Sequence, residues 1–123
     1  MLSPSEVVDG QIEAYRSRDV ERYATHFSPD VVVTNTDGEV FARGVPALKE
    51  FYGPMFRGSP DLRVEVVTRH VIGAFVVDEE HVEGLVSPGM PESMTAGCVY
   101  RVENELISSM TFLIGERRGT SEQ

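Results

Sequence analysis

The chain has 123 residues, of which 41% are hydrophobic and 25% are charged, as in globular proteins that bury a core. Its formal net charge of −9 argues against nucleic acids and anionic membrane surfaces as partners, since both attract basic proteins. The single cysteine, Cys98, excludes an internal disulfide. The first residues do not resemble a secretory signal, and no apolar run reaches the roughly 20 residues of a membrane span. These features predict a cytoplasmic protein.

Two helices are predicted at the start of the chain. Residues 3–6 (Ser-Pro-Ser-Glu) form a capping box with proline at the first helical position, where no N–H donor is needed. The apolar stripe of the helix that follows comprises Val8, Ile12 and Tyr15. Gln11 lies in the same stripe. Asp19 is a good N-cap for a second helix, which Ser28–Pro29 should end. Its apolar face comprises Val20, Tyr23, Ala24 and Phe27.

A strand hairpin and a third helix come next. Residues 31–35 are mostly β-branched and predict a strand, residues 36–38 contain turn-forming Asp37 and Gly38, and residues 40–42 predict a short return strand. The third helix starts at about Val45, and Gly53–Pro54 should kink or end it. Its apolar face comprises Leu48, Phe51, Tyr52, Met55 and Phe56.

The rest of the chain predicts strands alone. These strands cover residues 62–71, 75–85, 94–102 and 106–114. The loop at 86–93 is the longest, and we expect it to form a rim or flap. The order α-α-β-β-α-β-β-β-β predicts an α+β fold in which a curved, mostly antiparallel sheet wraps around three helices. We expect one domain over residues 1–115, followed by a polar tail over residues 116–123.

Three segments carry a resemblance to a known superfamily. They are Arg18–Asp19, residues 27–31 (Phe-Ser-Pro-Asp-Val), and Arg43–Gly44 leading to Phe51–Tyr52. By the order and spacing of these segments, residues 7–115 resemble the nuclear transport factor 2-like superfamily, the cone-shaped α+β barrels that include SnoaL-like proteins and ketosteroid isomerase. The resemblance implies a hollow interior. It does not imply one activity, because this fold hosts many.

The resemblance also indicates which chemistry is missing. Ketosteroid isomerases use a tyrosine on the first helix, an aspartate base that ends the first strand and an aspartic acid on a later strand. By position, the corresponding residues here are Gln11, Asn35 and Cys98. An asparagine cannot shuttle a proton as a carboxylate does, and neither glutamine nor cysteine is an equivalent acid. The chain is therefore not expected to be a ketosteroid isomerase by that mechanism.

The strand at 75–85 is unusually rich in ionisable residues. Because alternate residues of a strand face opposite sides, one face carries Glu79, His81 and Glu83, and the other carries Asp78 and Glu80. The resemblance favours the first set on the concave side, although a one-residue shift at Gly73–Ala74 would reverse the two faces. We therefore expect His81, with a neighbouring glutamate, to be the acid–base centre, since histidine titrates near neutral pH. The competing interpretation is a solvated outer face.

The inward stripes of the elements predict a pocket and its lining. The expected lining residues are Gln11, Tyr15, Asn35, Tyr52, Phe56, Cys98, Tyr100, Met110 and Phe112. Asn35 and Gln11 would orient a substrate carbonyl, hydroxyl or water, because amides both donate and accept hydrogen bonds. Cys98 is interpreted as a small buried residue rather than a nucleophile. No cofactor is expected, because no nucleotide motif occurs, and one Glu-x-His-x-Glu strand is only a weak signal for a metal, so none is expected either.

Three functions are compatible with these patterns. The first is an acid–base isomerase, cyclase or hydrolase that acts on a small apolar or mixed-polarity molecule. The second is a ligand-binding protein with the same pocket and no catalysis, and the third is a protein-interaction module. We also expect a homodimer, since helices can cover only one face of the sheet. The open face is expected to carry apolar residues such as Val64, Val66, Val99 and Leu113, in some combination.

Overall fold

The computed structural model describes residues 1–113, so the expected tail at 116–123 and the end of the expected domain at 114–115 lie outside the described residues. Within residues 1–113 the chain forms three helices and six strands in the predicted order. The helices are α1 (Pro4–Ser17), α2 (Val20–Ala24) and α3 (Gly44–Gly58). The strands are β1 (Phe27–Asn35), β2 (Val40–Arg43), β3 (Arg63–Ile72), β4 (Phe75–Glu83), β5 (Met94–Glu103) and β6 (Leu106–Leu113).

The six strands form one curved, unclosed sheet in the order β2-β1-β6-β5-β4-β3. Strands β1 and β6 are parallel, and every other neighbouring pair is antiparallel. The three helices pack against the sheet, so the predicted α+β architecture with a mostly antiparallel sheet is confirmed. None of the helices in the described part of the chain is long and apolar enough to cross a membrane.

The predicted helix starts are confirmed by their hydrogen bonds. The Ser3 hydroxyl accepts from the Glu6 N–H at 3.2 Å, and the Glu6 carboxylate accepts from the Ser3 N–H at 2.8 Å. Asp19 caps α2 by accepting from two backbone N–H groups. These side chains satisfy the backbone donors that a helix leaves unpaired at its first turn.

One expected boundary is wrong, and of the two outcomes expected at Gly53–Pro54, a kink or an end, the end does not occur. Phe27 begins β1 instead of continuing α2, and its ring packs on that of Tyr23 at a centroid distance of 4.9 Å. Helix α3 continues through Pro54 to Gly58. Proline removes one helical hydrogen bond, but Tyr52 and Phe56 on either side are buried at 4% and 1% exposure. Burial of these two rings offsets the lost hydrogen bond and keeps the last turn helical.

A bulge in β3 determines which of its residues face the helices. The pairing with β4 shifts between Val66 and Thr68, so Val67 is an extra residue, and it is exposed. Val64 is buried, Val66 packs against the core, and Arg69 contacts the start of α1. The expected open-face patch is therefore wrong for Val64 and Val66, because both face the interior.

Candidate functional site

A cavity of about 420 Å³ lies between the concave face of the sheet and the helices. Helix α1 contributes Gln11, Ile12 and Tyr15, and α3 contributes Phe51, Tyr52 and Met55. The strands and the loop after β4 complete the wall. Its apolar residues are largely aromatic rings and methionines, which suit contact with a ligand of irregular shape.

Seven of the nine expected lining residues do line this cavity: Gln11, Tyr15, Tyr52, Cys98, Tyr100, Met110 and Phe112. Residues 87–90 of the long loop also contribute to the wall, as expected for a rim. The residues were found from their inward stripes, because a side chain at the right period of a helix or strand reaches the interior whatever its polarity. Contact of these residues with a ligand stays a prediction.

The expected positions of Asn35 and Phe56 are wrong. The Asn35 side-chain oxygen accepts from the backbone N–H groups of Asp37 and Glu39, each at 3.0 Å, and its amide donates to the Glu39 carboxylate. Asn35 therefore stabilises the β1–β2 turn, as asparagine commonly does. Phe56 lies behind the wall, with its ring edge-on to that of Tyr15 at 5.2 Å.

The expected orientation of β4 is also wrong. Val76 and Val82 are buried at 0% and 7% exposure, so the alternation of the strand turns Asp78 and Glu80 inward as well. The residues expected in the cavity, Glu79, His81 and Glu83, face the other way.

On the outer face the three ionisable side chains of β4 form local pairs. The His81 ring contacts the Thr95 hydroxyl at 3.0 Å and the Glu83 carboxylate at 3.2 Å. Glu83 pairs with Arg63 at 2.8 Å, and Glu79 accepts from a threonine hydroxyl. His81 and Glu83 border an open groove outside the cavity. The structure thus does not bring His81 together with Asn35 or Gln11.

Glu80 is the ionisable residue of β4 that lines the cavity. The Tyr100 hydroxyl, on the neighbouring strand β5, donates to its carboxylate at 2.7 Å. Burial raises the pKa of Glu80 to about 7; the Tyr100 hydrogen bond and the Arg69 charge act against this rise, and the Asp78 carboxyl adds to it. At neutral pH both the acid and the carboxylate are therefore populated, as general acid–base chemistry requires.

A buried ion pair lies next to Glu80. Asp78 is 1% exposed, and its two oxygens accept from the Arg69 guanidinium at 2.7 and 2.9 Å. The same guanidinium donates to Asp9 at 2.7 Å and to the Ser5 hydroxyl at 2.9 Å, both on the first turns of α1. This two-pronged pair with Asp78 joins the sheet to α1 and satisfies a carboxylate that burial alone would destabilise.

Gln11 presents an unpartnered oxygen beside the cavity. Its side chain is 3% exposed, and its amide nitrogen donates to the Tyr23 hydroxyl at 3.1 Å. Its Oε1 atom is buried and has no hydrogen-bond partner among residues 1–113. Burial also raises the pKa of the Tyr15, Tyr23 and Tyr52 hydroxyls, so these rings remain neutral at physiological pH.

The cavity offers little for metal or thiol chemistry. Over residues 1–113 no group of three His, Cys, Asp or Glu side chains converges to hold a metal ion. Cys98 lines the wall, and burial raises the pKa of its thiol well above the ordinary value. A neutral buried thiol is a weak nucleophile, so it acts here as a small apolar residue.

Several solved structures align with nearly the whole chain and share this architecture. An uncharacterized cystatin-fold protein from Novosphingobium aromaticivorans is 26% identical, with a TM-score of 0.83 over 93% of this chain and 100% of its own. A protein with a ketosteroid isomerase-like fold from Catenulispora acidiphila, solved in complex with trimethylamine, is 16% identical, with a TM-score of 0.70 over 93% of this chain and 88% of its own. A putative polyketide cyclase from Sinorhizobium meliloti is 17% identical, with a TM-score of 0.68 over 90% of this chain and 99% of its own.

No curated protein matches the chain. The family model for the SnoaL-like domain, in contrast, matches residues 8–110, a range that includes most of α1 and most of the sheet that forms the cavity wall. The structural neighbours have the same fold, nuclear transport factor 2-like or ketosteroid isomerase-like. The chain therefore belongs to the SnoaL-like domain family, within the nuclear transport factor 2-like superfamily.

Proposed function

We propose that this protein binds a small, largely apolar molecule in its cavity and moves a proton on it, with Glu80 as the acid–base group. The reaction class is that of an isomerase, cyclase or hydrolase. The observation that carries the proposal is the Glu80 carboxyl, which faces the cavity, accepts from the Tyr100 hydroxyl at 2.7 Å and has a pKa of about 7.

The surroundings of Glu80 fit this role. The carboxylate can take a proton from a carbon or oxygen atom of the ligand, and the resulting acid can return it to a second atom. The Tyr100 hydroxyl holds the carboxylate in one orientation during both transfers. The wall around it consists largely of aromatic rings and methionines, so the buried carboxylate is poorly solvated and is a stronger base than it would be in water.

The comparisons support the same class of function. The Sinorhizobium meliloti neighbour is a putative polyketide cyclase, and the Catenulispora acidiphila neighbour was solved with a small molecule, trimethylamine. Both names are compatible with a fold whose interior receives small molecules.

The proposal can be tested with 5-nitrobenzisoxazole, an aromatic probe whose ring opens when a base removes its C3 proton. The Glu80 carboxylate would take that proton as the ring N–O bond breaks, which releases the coloured 2-cyano-4-nitrophenolate. We expect the wild-type rate to exceed the buffer rate and to rise with pH through about 7, the pKa of Glu80. Glu80→Gln should lower the rate by on the order of a hundredfold.

The matched controls are Glu79→Gln and His81→Ala, which change neighbouring residues on the outer face of the same strand. Both should keep the wild-type rate within about twofold, the scale expected for surface changes remote from the reacting groups. An equal rate for wild type and Glu80→Gln would contradict the catalytic proposal. Binding of the probe without turnover would then favour the non-catalytic ligand-binding function.

We also propose that the outer face of the sheet forms a homodimer. Val77, Val99 and Thr111 are register partners on neighbouring strands of this face, and Leu113 and Phe75 near them are 38% and 40% exposed. Such apolar faces are commonly covered by a second copy of the chain. Light scattering should give a dimer for wild type and a monomer for Val99→Glu; a wild-type monomer at micromolar concentration would contradict the proposal.

A further inference from the structure

The amide of Gln11 is oriented by its own contacts. Its nitrogen donates to the Tyr23 hydroxyl at 3.1 Å. The nitrogen end of the amide is therefore occupied by the protein. The Oε1 atom is buried and has no partner among the described residues, and Gln11 is one of the residues that line the cavity.

An unpartnered buried acceptor costs free energy, because the oxygen has lost the hydrogen bonds that water supplied in the unfolded chain. Most buried amides avoid this cost by pairing with the backbone. Gln11 can avoid it if a bound molecule donates a hydrogen bond to Oε1. A ligand that lacks a donor would leave the same cost in place, so the site would discriminate against it.

The charges around the cavity restrict the ligand further. No lysine, arginine or histidine lines the cavity in the described part of the chain, whereas Glu39 and Glu80 both do. The protein as a whole carries a net charge of −9. An anionic ligand would therefore enter a negative site without a countercharge and would lose its hydration there.

The shape of the wall indicates a ring. Tyr15, Tyr52 and Phe112 contribute aromatic surfaces from three different elements, and methionines line other parts of the wall. Aromatic side chains contact flat ring systems by stacked or edge-on packing.

We infer that the ligand is an uncharged ring compound with a hydroxyl group that donates a hydrogen bond to Gln11 Oε1, and that Gln11 is the residue that selects for this hydroxyl. The inference rests on the proposed use of the cavity for a small molecule, but it does not require Glu80 to be catalytic. A tyrosine at this position, as in ketosteroid isomerases, would donate a hydrogen bond to the ligand, whereas the amide oxygen of Gln11 accepts one.

The test compares 2-naphthol with 2-methylnaphthalene, which has a methyl group in place of the hydroxyl. Dissociation constants are measured by equilibrium dialysis with wild type and with Gln11→Met, whose side chain has similar size and no acceptor amide. The ratio of the two dissociation constants is compared between the two proteins, because the difference in hydrophobicity between the ligands contributes to both ratios and cancels. We expect the preference for 2-naphthol to fall by about tenfold or more in Gln11→Met, the scale of one discriminating hydrogen bond.

Glu13→Met is the matched control, because it introduces the same side chain at an exposed position of the same helix and leaves Oε1 in place; it should keep the wild-type ratio within about twofold. Circular dichroism establishes that each variant is folded, and Gln11→Leu replaces Gln11→Met if the latter is not. An unchanged ratio overturns the inference and leaves the proposal for Glu80 standing.

Two further probes test the inference on wild type alone. 2-Naphthaldehyde only accepts hydrogen bonds, and 2-naphthoate is an anion, so both should bind at least several times more weakly than 2-naphthol. Tighter binding of either compound overturns the inference. Binding of none of the four compounds overturns the cavity function as well, which distinguishes that failure from the loss of selectivity alone.

Discussion

The two faces of β4 carry the same kinds of side chain in opposite surroundings. On the inner face Asp78 and Glu80 lie among buried residues, with Arg69 and Tyr100 as partners. On the outer face Glu83 pairs with Arg63 and His81 in contact with solvent. Burial raises the pKa of Glu80 to about 7, whereas hydrogen bonding to His81 and the nearby Arg63 charge lower the pKa of Glu83.

The burial and the partners of a carboxylate, rather than its residue type, therefore decide whether it can exchange protons at neutral pH. The outer glutamate is held as an anion by its hydrogen bond to His81 and by the Arg63 charge, which water partly screens. The inner glutamate keeps its proton up to about neutral pH, because desolvation penalises the charge more than its partners favour it. Substitution of one inner residue and of an outer counterpart tests this difference.

The largest effect is expected from removing the buried cation. Arg69→Met leaves the Asp78 carboxylate, which is 0% exposed at the side chain, without its partner. Breaking a buried ion pair in this way costs about 3–5 kcal/mol, so the free energy of unfolding measured in urea should fall by this amount. Arg63→Met removes the partner of Glu83 on the outer face, where both side chains are exposed, and should cost less than about 1 kcal/mol. Equal losses would mean that the inner pair is not structurally special.

The next effect is a stability difference that depends on pH. Since Glu80 has a pKa of about 7 instead of 4.5, the folded protein keeps a proton that the unfolded chain releases, and wild-type stability falls as pH rises from about 4.5 to 7. Glu80→Gln lacks this titration, so its advantage over wild type should grow by up to about 3 kcal/mol between pH 4.5 and 8.

Urea unfolding at both pH values measures this effect, with Glu83→Gln as the outer control. The pKa of Glu83 is lowered, so its ionised form is favoured in the folded state, and wild type should lose stability relative to Glu83→Gln as pH falls rather than as it rises. A pH-independent difference for Glu80→Gln would refute the raised pKa.

The smallest expected effect concerns the hydrogen bond from Tyr100. Tyr100→Phe removes the donor that favours ionised Glu80, so the pKa of Glu80 should rise by about one further unit, on the scale of a charge-assisted hydrogen bond. Carbon-13 NMR of labelled glutamate carboxyls would follow this titration. Thr95→Val removes the hydroxyl that contacts His81 on the outer face and should leave the Glu80 titration in place; a downward shift in Tyr100→Phe would contradict the assigned donor.

Much of the fold could be predicted from local patterns. The capping box at residues 3–6 and the turn at 36–38 depend on neighbours in sequence, and both form as predicted. The end of α3 could not be predicted, because the effect of Pro54 is offset by the burial of aromatic rings against rings of α1 and α2. Such compensation depends on tertiary packing, which the local sequence does not specify.

The site was predictable where one stripe of one element decided the outcome. Gln11 and Tyr100 lie on unambiguous inward stripes and do line the cavity. The orientation of β4 was not decided in this way, because apolar residues occur on both of its faces. In the structure, the pairing of Asp78 on β4 with Cys98 on β5 sets the orientation of β4. Glu80 was missed because the sequence of β4 alone does not give this orientation. The useful signal was the inward stripe of Cys98 and Tyr100 on β5, because residues directly opposite each other on paired strands lie on the same face of the sheet.

The bulge at Val67 makes β3 and β4 respond differently to the deletion of one residue. Because Val66 pairs with Glu80 and Thr68 pairs with Glu79, loss of the codon for Val67 would leave an uninterrupted ladder with the same residues inward. Loss of one codon early in β4 would instead exchange its two faces and bring the outer set of ionisable residues into the cavity. In this scaffold a single deletion is therefore silent on one strand, and on the next it replaces the chemistry of the interior.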